Sequence, residues 1–152
     1  MRKIILLAVF MAFSCSSSDD NGPKAPTFNV NLLLKGWAYD KIIIEQGEFD
    51  YSHNPGCNLD YFGFRNRPGQ EYQFEEIIHT FDYCASNQTF LEWEPDGDHV
   101  NLYFGDYFLG ELVIINLTDN SLEAILEADF DGDGTRDQQH FKAIPYDPYD
   151  SF

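Results

Sequence analysis

The sequence predicts an all-β protein, an antiparallel sandwich or barrel of about eight short strands. Three observations carry this reading. Over residues 122–130, Leu122, Ala124, Leu126, Ala128 and Phe130 alternate with Glu123, Ile125, Glu127 and Asp129, the period of two that gives a strand one buried and one wet face. Turn formers recur between short apolar runs, at Asn66-Arg67-Pro68-Gly69, Pro95-Asp96-Gly97-Asp98 and Thr118-Asp119-Asn120, as hairpins require. Aromatic residues make up 16% of the chain, bulk enough to fill a core, so a formal charge of −17 does not imply disorder. No internal repeat and no long amphipathic helix interrupts the pattern.

The elements follow in order. Residues 1–14 read as a signal peptide: Arg2-Lys3, then an apolar run through Phe13 too short to span a bilayer, then Ser14. Cys15 and residues 16–27, rich in Ser, Asp, Gly and Pro, form a tether poor in apolar groups. A β domain is expected over 28–147 and a polar-aromatic tail over 148–152. Its first strand is predicted over 30–39, with Ile42-Ile43-Ile44 continuing it past a bend or opening the next. Residues 47–57, with Asp50, His53, Asn54, Pro55 and Gly56, read as a loop. Hairpins follow at 59–64 with 72–80, 89–94 with 100–104, and 109–117 with 122–130, and a last strand at 138–144.

The ending Ala12-Phe13-Ser14-Cys15 resembles a bacterial lipobox. That resemblance implies cleavage before Cys15 and acylation of its thiol and amine, so that the chain hangs from a membrane by lipid. Ser16 after the cysteine implies outer-membrane sorting, and the Ser-Ser-Asp-Asp run resembles export signals of lipoproteins displayed on the cell surface. Cleavage leaves 138 of the 152 residues, one domain with a real core. It also removes Arg2 and Lys3 and takes the formal charge from −17 to −19. Such a charge repels nucleic acid and anionic headgroups and attracts cations. Lipidation leaves Cys57 and Cys84, and two thiols outside the cytoplasm most simply form a disulfide, the rival being two buried free thiols.

The run Leu33-Leu34-Lys35-Gly36-Trp37-Ala38-Tyr39 resembles the Gly-x-Trp opening of lipocalin-like domains, with Gly36 and Trp37 adjacent here. Cys57 with Asp60-Tyr61-Phe62, then Tyr72-Gln73-Phe74, Cys84, Phe90-Leu91-Glu92-Trp93 and Ile114 to Leu122 follow the order seen in small lipocalin-like bacterial lipoproteins. The resemblance covers about residues 30–130. It implies an up-and-down antiparallel barrel, in some members with an interior ligand cavity.

The sharpest chemical feature is Asp129-Phe130-Asp131-Gly132-Asp133-Gly134-Thr135-Arg136-Asp137. Alternating carboxylates can wrap a hard cation, and Asp129, Asp131, Asp133 and Asp137 with the carbonyl of Thr135 and water would satisfy Ca2+. An EF-hand is excluded, because His140 stands where its bidentate glutamate would be and the flanks read as strands. The calcium loop of β-propeller repeats is the better analogue, with a structural role, and a solvated acidic turn is the alternative. No Gly-x-Ser-x-Gly, His-Glu-x-x-His or phosphate-cradling loop is present, and His53, His79, His99 and His140 lack ligand spacing. Glu75-Glu76 and Glu92 with Glu94 read as chance pairs in an acidic chain. These readings point to a non-catalytic, lipid-anchored binding protein for a small apolar ligand or a surface protein or glycan. An adhesive, calcium-stiffened module is the alternative, and a glycan hydrolase the third. A drug-sized interior ligand calls for a cavity of about 300 Å³ or more.

Overall fold

A computed structural model describes residues 22–67, 69–80 and 83–148. The expected signal peptide, Cys15, the start of the tether and residues 149–152 lie outside them. The described residues fold into nine strands: β1 Gly36–Ile44, β2 Gly47–Asp50, β3 Tyr61–Arg67, β4 Gln70–His79, β5 Ser86–Asp96, β6 His99–Phe104, β7 Tyr107–Leu117, β8 Leu122–Ala128 and β9 Asp137–Pro145. Every neighbouring pair is antiparallel. β1 and β3 to β9 make a closed eight-stranded barrel, sealed where β9 returns to β1 from Trp37 opposite Pro145 to Ile43 opposite His140. That closure decides for a barrel over a sandwich, and it leaves no long free edge.

β2 is the extra strand. It takes the upper half of one β1 edge, pairing Lys41–Ile44, while β3 takes the lower half at Gly36–Ala38. The expected loop thus begins with a strand, and only the chain from Tyr51 to Asp60 is irregular. A second correction concerns residues 30–39. Val30–Leu33 form one helical turn, α1, and the strand starts at Gly36. Asn29 caps this turn by accepting the Asn31 N–H, and the indole N–H of Trp37 donates to the Leu33 carbonyl at 3.1 Å. Gly36 is required here, since a Cβ would run into the carbonyl of Tyr146. β8 ends at Ala128, so Phe130 belongs to the loop and not to the strand.

Alternation sends Trp37, Phe62, Phe64, Phe74, Trp93 and Phe141 inward, where they pack with Leu33, Leu112 and Leu122. The rings meet edge to face, Phe62 against Phe141 at 5.5 Å and Phe64 against Trp93 at 5.3 Å between centroids, a favoured aromatic geometry. The two barrel ends differ. One carries α1 and the turns after β3, β5 and β7, with Leu33 wholly buried in the core. The preceding segment is stitched there too: Thr27 N–H donates to Gly97 O at 2.7 Å and Gly97 N–H to Lys24 O at 3.2 Å. The other end carries the β1–β2 turn, the 51–60 loop, the β4–β5 loop, the β6–β7 turn and the acidic loop 129–136.

Candidate functional site

The end opposite α1 is open. Inward residues of the middle strands, among them Phe74, Glu76, Leu91, Leu102 and Leu126, line a mostly apolar cavity of about 140 Å³, with Phe130 from the acidic loop at its rim. This is smaller than a drug-sized ligand needs. It matches the volume of about 150 Å³ that accepts benzene in an engineered protein core. Below it the aromatic core fills the barrel. Larger concavities lie elsewhere, for example about 420 Å³ beside Tyr72, Trp93 and Tyr103.

One wall of the mouth is polar. The Tyr39 hydroxyl donates to Glu76 Oε1 at 2.5 Å. Burial, reinforced by the Glu76 charge, holds the Tyr39 phenol well above its usual range. Burial likewise pushes the Glu76 carboxyl up, against the lowering effect of the Tyr39 hydrogen bond, and Asp60 adds to the rise.

Asp60 itself is buried and fully engaged. Its Oδ1 accepts from the His79 backbone N–H at 2.7 Å and from His79 Nδ1–H at 3.1 Å, and its Oδ2 accepts from the Tyr51 hydroxyl at 3.1 Å. The Asp60 N–H donates to His53 Nδ1 at 3.0 Å, and His53 Nε2–H donates to the Tyr39 carbonyl at 2.8 Å. Those two bonds place the His53 proton on Nε2. The network ties the 51–60 loop to β1 and β4, satisfying each buried group.

The disulfide is present. Cys57 and Cys84 are bonded, with Cα atoms 5.4 Å apart, and join the 51–60 loop to the β4–β5 loop at the rim of the same mouth. Of the five residues expected to hold Ca2+, the fold gathers Asp129, Asp131 and Asp133, with a carboxylate oxygen from each within 4.8 Å of the others. All three are exposed. Backbone amides meet them: Gly132 N–H and Gly134 N–H donate to the two oxygens of Asp129, Asp133 N–H to Asp131, and Thr135 N–H to Asp133. These donors offset part of the mutual repulsion that the sequence alone leaves unanswered. Gly132 and Gly134 sit at φ of +77° and +88°, which explains glycine at both. Asp137 stands apart from that group and accepts the Phe130 N–H through Oδ2 at 3.3 Å.

His79 is packed, as its apolar neighbours in the sequence suggest, but it serves Asp60. Asp60 and Glu76 were missed as site residues. Glu76 did carry a signal, since it falls in phase with Phe74 and Ile78 on the inward face of β4. No family model, curated protein or solved structure matches this chain.

Proposed function

We propose that this chain is a lipid-anchored, non-catalytic binding protein of the outer membrane whose site is the mouth of the barrel. The observation that carries the reading is the asymmetry of the interior: one end is plugged by α1 and the aromatic core, and the other opens on an apolar cavity of about 140 Å³. A group the size of a benzene ring or a six-carbon chain fits there. The basic start, short apolar run and Cys15 support the anchor, and the acidic run after Cys15 supports display on the cell surface. Gly22 lies seven positions beyond Cys15, a reach of at most about 25 Å. Anchoring at Cys15 would hold the α1 end toward the membrane and turn the mouth away from it.

The cavity is tested by titrating the isotope-labelled domain with 1-hexanol. Saturable shifts of the Leu91, Leu102 and Leu126 methyls support a mouth site, and no shift at any of them sinks it. The anchor is tested by mass spectrometry of material made in a host with lipoprotein processing: the chain should begin at acylated Cys15, and an intact Met1 start would refute it.

Calcium at the acidic loop is the second part of the proposal, as a structural ion held by Asp129, Asp131 and Asp133 with help from Asp137 and the carbonyl of Thr135. Chelator should lower the melting temperature, and Asp131→Ala with Asp133→Ala should abolish that sensitivity. An unchanged melting curve in chelator would count against it. Exposed Phe104, Tyr107 and Phe108 on the β6–β7 hairpin favour a second reading, a macromolecular partner seated on the mouth rim.

A further inference from the structure

Among the described residues that line the mouth cavity, Glu76 is the one with a formal charge, and the remainder are apolar apart from Thr89. Its hydrogen-bond partner is a phenol, the Tyr39 hydroxyl. Among the described residues no cation acts on it, and the neighbour that acts on it besides Tyr39 is another acid, Asp60. A carboxylate facing an apolar cavity without a counter-ion is costly, and the cost falls when a cation arrives. The surroundings favour that arrival. Asp129, Asp131 and Asp133 cluster at this end of the barrel, Phe130 between them reaches the cavity wall, and the whole chain carries −17, so the field at the mouth draws in positive charge.

The geometry points to a small organic cation as the ligand: an ammonium group on an apolar body of about six carbons, with Glu76 as its counter-ion. This rests on the mouth being a binding site, and it adds the ligand's chemical class. The apolar walls take the body, Glu76 takes the head, and the Tyr39 hydroxyl holds the carboxylate in place. Size excludes a long-chain lipid from the enclosed space, and charge excludes fatty acids.

The test compares n-hexylamine, 1-hexanol, hexanoate and methylammonium on the labelled domain at neutral pH, read at the Leu91, Leu102 and Leu126 methyls. Hexylamine should bind roughly tenfold or more tighter than hexanol, the scale of one charge-assisted hydrogen bond. Hexanoate should bind most weakly, and methylammonium, which has the charge without the body, should leave these methyls unmoved. Glu76→Gln should bring hexylamine down to the hexanol level. Equal binding of hexylamine and hexanol by the unmodified protein, a comparison that needs no variant, overturns the inference while the mouth site stands. Silence from hexanol at all three leucines overturns the mouth site itself.

Discussion

Replacing both bridging cysteines, Cys57→Ala with Cys84→Ala, isolates the largest single covalent contribution to this fold. The two half-cystines lie 27 residues apart. Releasing a loop of that length returns about 3.5 kcal/mol of chain entropy to the unfolded state at 25 °C. Cys57 is partly and Cys84 largely exposed, so the alanines leave no buried cavity to confuse the result. One native-state term works the other way. Tyr83 and Cys84 are both held at positive φ, +57° and +54°, and a freed loop can recover about 1 kcal/mol by relaxing one of them. The expected net loss is therefore about 2.5–3.5 kcal/mol. With about 2.1 cal/mol/K of unfolding entropy per residue over about 125 residues, the melting temperature falls by about 10–13 °C. Urea denaturation and calorimetry of the oxidised protein against the double variant measure it, and the reduced parent should match the variant. A loss under about 1 kcal/mol would refute the account, because it would mean that the unfolded chain is no freer without the bridge.

Other perturbations separate the core from the mouth. Leu122, the first residue of β8, is fully buried in the core, so Leu122→Ala should cost about 3 kcal/mol in chemical denaturation; a cost under about 1 kcal/mol would show a core loose enough to collapse around the gap. Glu76→Gln should have an effect that appears only as pH rises. Burial raises the Glu76 carboxyl above its ordinary value of 4.5, so the folded protein holds a proton there that the unfolded chain has released. Stability then falls as pH climbs from about 4.5 through the folded value. The glutamine variant should melt with the parent below that window and above it at neutral pH, where a curve parallel to the parent at every pH would refute the shift. The groups facing Glu76 that shape the profile are Tyr39, Tyr51 and Asp60, with His53 and His79 beyond them.

Most of the barrel was legible because its strands bury one face and its turns announce themselves. Alternation at 122–128 and the Pro-Asp-Gly-Asp turn needed no tertiary information. α1 was not legible: Val30, Leu32 and Leu33 are apolar residues with no helical period to display, and what makes them a turn is distant, the burial of Leu33 and the Trp37 indole on its carbonyl. β2 was hidden for the opposite reason. All four of its residues are exposed, so it has no buried face to alternate against, and it exists because the upper edge of β1 needs partners. The fully buried indole of Trp37 likewise depends on α1, an element the sequence reads as strand.

The mouth shows why a site can be hidden in a string of common residues. Glu75 and Glu76 are adjacent carboxylates in a chain with 26 acidic residues, and counting alone makes them ordinary. The pleat of β4 sends them to opposite faces. Glu75 meets the Arg65 guanidinium, whose Nε donates at 2.9 Å, and is a routine cross-strand ion pair. Glu76 goes inside, where no described cation acts on it and burial raises its carboxyl. Its partner Tyr39 lies 37 residues away, brought close because β3 pairs with β1 on one side and β4 on the other, and by no local pattern. What a sequence can offer in such a case is phase: an acid on the apolar beat of a strand, between Phe74 and Ile78, is marked for burial by its position alone. An acid buried in that way, facing a cavity, needs either a proton or a cationic guest, and the pH profile and the amine titration tell these apart.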